Sequence, residues 1–163
     1  MMIIMENEME YIYYTDGACS HNPGPGGYAW IRVLNNEVVS QNGGYENNTT
    51  NQRMELMAIY NALMNWWKAI GKPALDSVGL KNVTIYSDSA YAVNCFKAQW
   101  WKAWVDNGWV NSKKQPVANK DLWEKLIPFF KSPYVNLVKV KGHSSKDDFN
   151  DIVDKLAVSY KAG

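Results

Sequence analysis

The sequence has little cysteine, little histidine and no long apolar run. Among its 163 residues there are two cysteines, Cys19 and Cys95, and two histidines, His21 and His143. Two cysteines are too few for a disulfide framework, and neither sits in a Cys-x-x-Cys or Cys/His spacing that zinc would need. A reducing, cytoplasmic setting is therefore expected. No stretch approaches the ~20 consecutive apolar residues of a membrane-spanning helix, which excludes an integral membrane protein of that kind. The first ten residues carry Glu6, Glu8 and Glu10 in place of a basic region and a small-residue cleavage site, so no secretory leader is expected. Internal repeats, low-complexity tracts and linkers are missing too. Asn-x-Thr strings begin at Asn47, Asn48 and Asn82, but without secretion they carry no meaning.

What is present fits one globular domain spanning residues 1–163. At this length folding buries roughly 70 % of the surface that the extended chain exposes, enough for a core without metal or disulfide support. The 47 % hydrophobic and 20 % charged composition rules out a disordered chain. The net charge of +1 hides a division: residues 1–60 hold two basic and seven acidic residues, and residues 61–163 hold fifteen and nine. An acidic site and a basic surface on one domain would produce that split.

Tyr11 to Thr15 has the aromatic and β-branched composition of a strand. Tyr28 to Leu34 and Val38 to Gly44 continue the style, with Asn35-Asn36 as a tight turn between them. Apolar residues at 56, 59, 60, 63, 67 and 70 follow helical spacing, preceded by a capping box at Thr49-x-x-Gln52 and followed by Gly71 and Pro73. Val83 to Ser87 reads as a short buried strand, and Ser89 to about Asp106 as one helix that Gly108 stops. Asn119 is placed to cap a further helix, which Pro128 should kink or shorten. Asn136 to Lys141 is a last strand, and a final helix sets Phe149, Ile152, Val153, Leu156 and Tyr160 on one face. Hairpin strands followed by helix-strand alternation imply an α/β fold with a mixed sheet.

The candidate chemistry begins with two matched strand ends. Thr15-Asp16-Gly17 and Ser87-Asp88-Ser89 each place a carboxylate where a strand gives way to a small residue, at the edge where open α/β sheets build their sites. Taken singly, either aspartate has an equally good explanation as a strand end or a helix cap. Glu55 lies about 40° from Ile59 on its helix, at the margin of the apolar stripe, and Asp154 lies about 60° from Ala157 on the last helix. A solvated helix face is the plainer explanation of Asp154 alone. Four converging carboxylates would repel one another and raise their pKa values unless divalent cations held them, and hard oxygen ligands suit magnesium or manganese.

Gly24, Gly26 and Ala29 satisfy a weak G-x-G-x-x-A dinucleotide pattern, but that pattern must open a helix and Tyr28 to Val33 is strand-like. Asn22 to Gly27 is therefore read as a turn, or as a turn whose backbone approaches a phosphate chain. From Gln99 to Trp123, Trp100, Trp101, Trp104, Trp109 and Trp123 alternate with Lys102, Lys113, Lys114 and Lys120, as aromatic and basic residues do on nucleic-acid surfaces. Trp100 and Trp104 are at helical i, i+4 spacing, and core packing is the better explanation of some of these tryptophans. His143, in a loop after the last strand, is either a surface residue without a role or a proton carrier beside the carboxylates.

These segments together resemble type 1 ribonuclease H, the endonuclease that cuts the RNA strand of RNA-DNA hybrids. The similar stretches are Tyr14 to Gly17, Asn22 to Tyr28, Thr49 to Leu56, Tyr86 to Ser89, Val140 to His143, and Asn150 to Ala157. They follow the family's order from about residue 11 to 160.

The resemblance implies a five-stranded mixed sheet in order 3-2-1-4-5 flanked by helices. It makes Asp16, Glu55, Asp88 and Asp154 the catalytic, metal-binding carboxylates for two Mg2+ ions, with Mn2+ as a substitute, and His143 a mobile loop histidine that assists later steps. Asn22, Asn51 and Gln52 become minor-groove contacts, Thr50 helps to hold a DNA phosphate, and Cys19 lies near the hybrid. Residues from about 99 to 120 become a basic protrusion, with Trp100, Trp104 and Trp109 at its aromatic positions and Lys113 and Lys114 in its loop. Such a protrusion is similar to that of free-standing cellular enzymes. The implied partner is an RNA-DNA hybrid cut without regard to sequence, leaving 5′-phosphate and 3′-hydroxyl ends; the protein itself is expected to be a monomer with no membrane partner.

The chain also departs from the family pattern. Ala90 replaces a polar residue that can touch substrate, and the stretches Asp88 to Trp100 and His143 to Asp154 are each one residue longer. The ten residues before the first strand are too few for the separate hybrid-binding domain of some relatives. A hybrid-binding module that has lost catalysis is the competing hypothesis, and it expects a missing carboxylate where none is missing. A transposition or junction-resolving nuclease of the same fold expects other motifs and no protrusion.

Overall fold

The computed structural model describes residues 10–141 and 148–161. Strands β1 (Tyr11–Cys19), β2 (Gly24–Leu34) and β3 (Glu37–Thr49) form an antiparallel meander. The β2–β3 turn is the expected Asn35-Asn36, whose φ angles of 52° and 64° are ones that asparagine tolerates and that a tight hairpin requires. Strand β4 (Val83–Ser87) pairs parallel to β1, and β5 (Val135–Lys139) parallel to β4, which gives the sheet order β3-β2-β1-β4-β5. The helices are α1 (Asn51–Ala69), α2 (Ala90–Ala98), α3 (Trp101–Asp106), α4 (Lys120–Phe130) and α5 (Phe149–Tyr160).

Alternation along β1 divides the core between the two faces of the sheet. Tyr13 joins Leu56, Ile59, Leu63 and Trp66 of α1 in the larger cluster, while Ile12 and Tyr14 face the side where Ala29 and Ile31 meet Val153 and Ala157 of α5. None of the helices among the described residues is long and apolar enough to cross a membrane.

Several local expectations need correction. Strand β1 does not end at Thr15 but continues to Cys19, because Gly26 and Gly27, read as part of a turn, are strand residues that pair with Cys19 and Ala18. The bend is confined to residues 20–23. A Cβ on Gly27 would run into the carbonyl of Ala157, so a bare backbone is what seats α5 against β2. The α1 cap is Thr50 and not Thr49: Thr50 Oγ1 accepts the Arg53 N–H at 3.2 Å, while Thr49 still belongs to β3, paired with Gly24.

The single helix expected over 89–106 is broken at Gln99, whose left-handed φ of 55° separates α2 from α3. That break turns Trp101 inward, 1 % exposed and 5.7 Å from the Phe130 ring, and leaves Trp100 39 % exposed. Pro128 does not end α4, which runs on to Phe130 with Pro128 on its exposed side. Strand β5 is displaced toward the N-terminus relative to the expected 136–141 because its pairing with β4 runs from Val135 to Lys139.

Candidate active site

The parallel neighbours β1 and β4 finish at the same edge of the sheet. Their last pair is Thr15 with Ser87, so Asp16 continues along β1 with no β4 residue beside it, and Asp88 follows directly in the loop before α2. Asp16 shares the α5 face of β1 with Ile12 and Tyr14. Glu55 approaches from α1, on the other face.

Gly17 lets these opposite approaches meet. Its N–H donates to Asp16 Oδ1 at 2.9 Å and to Glu55 Oε1 at 2.8 Å, so one backbone donor orients both carboxylates. A Cβ at position 17 would lie 2.5 Å from the Glu55 nitrogen and 2.6 Å from the Met54 carbonyl carbon, both backbone atoms that cannot turn aside. Gly17→Ala should therefore push α1 outward and destabilise the protein by about 1–3 kcal/mol, with loss of activity. Thermal unfolding beside a cleavage assay checks both; an unchanged melting temperature would mean that the helix does not need this contact.

One oxygen each from Asp16, Glu55 and Asp88 lies within 4.8 Å of the others. Asp154 comes from α5 to line the same cleft and adds to the raised pKa of Asp16. Asp16 and Glu55 are 3 % and 4 % exposed. Burial, the Glu55 charge and then the Asp88 charge raise the pKa of Asp16, and burial above all raises that of Glu55. Glu55 Oε2 is buried without a hydrogen-bond partner among the described residues. A carboxylate with an orphaned oxygen, clustered with two further carboxylates, is a donor set of hard oxygens that a divalent cation fits. The cleft around it encloses about 570 Å³ and is lined also by Cys19, Asn51 and Gln52.

The helix tip beside the cleft holds the expected contact residues. Asn22, Asn51 and Gln52 are exposed there, and Asn22 Oδ1 accepts the Asn51 N–H at 2.8 Å. Trp101 and Trp123 are fully buried in the core, and the half-buried Trp104 and Trp109 pack on it, with the Trp104 ring tilted against those of Trp123 and Trp109 at centroid distances of 5.3 and 6.2 Å. Lys113 and Lys114 are exposed in the loop before α4, and Lys120 Nζ stands 5.6 Å from the Trp109 ring centroid. Ala90 is exposed and lines the acidic cleft. His143 lies outside the described residues.

Sequence reasoning missed the Gly17 N–H, and missed Tyr91, which lines the cleft and accepts the Trp123 Nε1–H at 3.0 Å. A glycine after a strand aspartate was a signal for the first. Nothing in the sequence signalled the second.

A mixed 3-2-1-4-5 sheet with a carboxylate cluster at the shared end of its central parallel strands defines a ribonuclease H-like α/β protein. The foamy viral protease-reverse transcriptase, solved in complex with dsDNA, superimposes with a TM-score of 0.71 at 23 % identity, covering 93 % of this chain and 95 % of that one. The RNase H1 called LC11, solved in complex with RNA/DNA hybrid, gives 0.62 at 22 % identity over 91 % and 94 % of the two chains. At such identities the likeness speaks for the fold.

Sequence comparison is more specific. The RNase H family model matches residues 8–161. A ribonuclease H of Syntrophomonas wolfei is 47 % identical over 148 residues, 91 % of this chain and 93 % of that protein. One from Thermoanaerobacter pseudethanolicus is 43 % identical over 154 residues, 94 % and 91 % of the two. The chain belongs to the ribonuclease H family and is an endoribonuclease.

Proposed function

We propose that this protein hydrolyses the RNA strand of RNA-DNA hybrids without regard to sequence, leaving 5′-phosphate and 3′-hydroxyl ends. The observation that carries the reading is the cluster of Asp16, Glu55 and Asp88 with its orphaned Glu55 oxygen, set beneath a rim of amides. These three carboxylates and Asp154 would hold two divalent cations, magnesium or in its place manganese. When bound, they supply a more acidic attacking water and charge neutralisation at the departing 3′ oxygen.

The chain's own groups do the rest. Gly17 holds Asp16 and Glu55 in register before any cation arrives. Because the Asn51 N–H occupies Asn22 Oδ1, the Asn22 amide turns its NH2 outward as a donor. Every base pair presents minor-groove acceptors at the purine N3 or pyrimidine O2, so a donor there reads shape and not sequence. Asn51 and Gln52 extend that row, and a 2′-hydroxyl, donor and acceptor together, distinguishes the RNA strand. Thr50 Oγ1 accepts from Arg53, which leaves its O–H for a DNA phosphate oxygen. His143 is assigned proton transfer in the later steps.

Residues 99–120 form the basic protrusion of a single domain spanning 1–163, with Trp100, Trp104 and Trp109 as its aromatic contacts. Residues 1–10 are a short extension. The protein works as a monomer in the cytoplasm. Both cysteines are free, which suits a reducing compartment, and burial pushes the Cys95 thiol up to about 12 and so keeps it inert.

The test is cleavage of a labelled RNA-DNA hybrid, with duplex DNA and duplex RNA as controls, in magnesium and again with EDTA. Cutting confined to the RNA strand of the hybrid and lost with EDTA is expected. Tight hybrid binding without cutting in either metal would leave a binding module. Replacing Lys113 and Lys114 with alanine should weaken hybrid binding and reduce the slope of log affinity against log salt by about 1 to 2, the share of the two phosphate contacts. An unchanged slope would separate this loop from the phosphates.

A further inference from the structure

Arg53 is the third residue of α1, between the amides of Asn51 and Gln52 and the carboxylate of Glu55. Its guanidinium turns away from the cleft. Nη1 and Nη2 donate to Asp121 Oδ1 and Oδ2 at 2.9 and 2.8 Å, a bidentate fork onto the first turn of α4. Nε donates to Glu46 Oε1 of β3 at 3.0 Å, and Nη1 lies 3.4 Å from Asn119 Oδ1. One cation is thereby committed to two carboxylates, so it has no charge to spare for phosphate.

The pair is also a poor stabiliser. Arg53 and Asp121 side chains are 25 % and 58 % exposed, and ion pairs so open to water add little to folding stability. What a planar fork does supply is a fixed angle and distance between the elements that it joins. Here those elements are the two supports of the proposed contact surface. On one side, the α1 tip carries Thr50, Asn51 and Gln52. On the other, α4 carries Trp123, against which the Trp104 ring packs at a tilt, with Trp109 against Trp104 and the Lys113-Lys114 loop beyond.

We propose that Arg53 is a positioning residue: through Asp121 and Glu46 it sets the spacing between the groove-reading helix tip and the tryptophan-lysine segment. Both then engage one hybrid at once. This inference rests on the reading of the protein as a hybrid-cleaving enzyme. It assigns Arg53 no contact with substrate. Two linked contact surfaces bind more tightly than either alone only while their geometry permits simultaneous engagement, so the loss should fall on substrate binding and not on the chemical step.

Arg53→Lys keeps the charge and the helix but loses the fork, and Asp121→Asn loses it from the other side. Either substitution should raise KM on a long hybrid by about tenfold, toward the value for one surface, with kcat within about twofold. The rise of melting temperature on adding magnesium should not change, because the carboxylates are untouched. In protein already carrying Lys113→Ala and Lys114→Ala, Arg53→Lys should change KM by less than about twofold, since the surface that it aligns has lost its grip. Full additivity of the two KM effects, or a fall in kcat that follows a fall in melting temperature, would overturn the positioning role. Failure of the unaltered chain to cut the hybrid would overturn the reading beneath it, and that is seen before any variant is made.

Discussion

Asp16→Asn leaves hybrid binding nearly intact and lowers cleavage by roughly 10³-fold, the scale on which removal of one preorganised electrostatic group acts. The geometry explains why the two effects separate. Asparagine keeps an oxygen where Asp16 Oδ1 accepts the Gly17 N–H, so the strand and the Gly17 bridge to Glu55 survive. What disappears is one negative oxygen of the cluster in which three carboxylates lie within 4.8 Å. The exposed amides of Asn22, Asn51 and Gln52 are untouched, and they and the lysine loop provide the binding. Gel-shift affinity in calcium, beside cleavage rates in magnesium, separates the quantities. Turnover within tenfold of the unaltered protein would remove Asp16 from the reacting site.

The fold was legible wherever one periodicity ruled. The α1 stripe from Leu56 to Ile70 and the Asn35-Asn36 hairpin are local patterns, and the structure repeats them. Boundaries failed where tertiary contact overrode local preference. Gly26 and Gly27 look like a turn to any local rule, yet they are strand because β1 pairs with both, while α5 closes on Gly27 and Thr49 and Met54 close on Gly26. The split at Gln99 was hidden because Trp100, Trp101 and Trp104 are all apolar. Tertiary contacts such as that with the Phe130 ring, from a helix about thirty residues on, decide which of them turns inward.

The site was legible for a different reason. Two Asp-small steps at strand ends need only a parallel sheet to meet, and the order 3-2-1-4-5 supplies one. Glu55 could be placed from its angle to the helix stripe. Its partner could not, because a backbone N–H has no identity in a sequence. The Arg53–Asp121 fork spans 68 positions and leaves no periodic trace.

Without divalent metal, the protein is expected to lose stability as pH rises from about 5 to 8, against the usual behaviour of carboxylates. The sign follows from burial. Asp16 and Glu55 have pKa values raised in the folded state by burial and by their neighbours' charges, and in the unfolded chain they titrate near 4. Above about pH 4 the folded state therefore holds protons that the unfolded state has released, so stability falls with pH by up to about 1.4 kcal/mol per unit for each extra proton. Asp121, whose pKa Arg53 lowers, acts oppositely, but only as pH falls below the same region. In a domain of this size the slope is worth about 3 °C of melting temperature per pH unit. Divalent cations should remove it, because bound charge replaces the protons and the fully ionised cluster becomes the favoured state. Asp16→Asn should flatten it too, raise the metal-free melting temperature at pH 8 and abolish most of the gain from magnesium. Melting in EDTA at pH 5, 6.5 and 8, and again in 10-fold steps of magnesium, measures all three. A metal-free protein more stable at pH 8 than at pH 5 would mean that these carboxylates are ionised and compensated within the chain, and that the cluster does not wait for a cation.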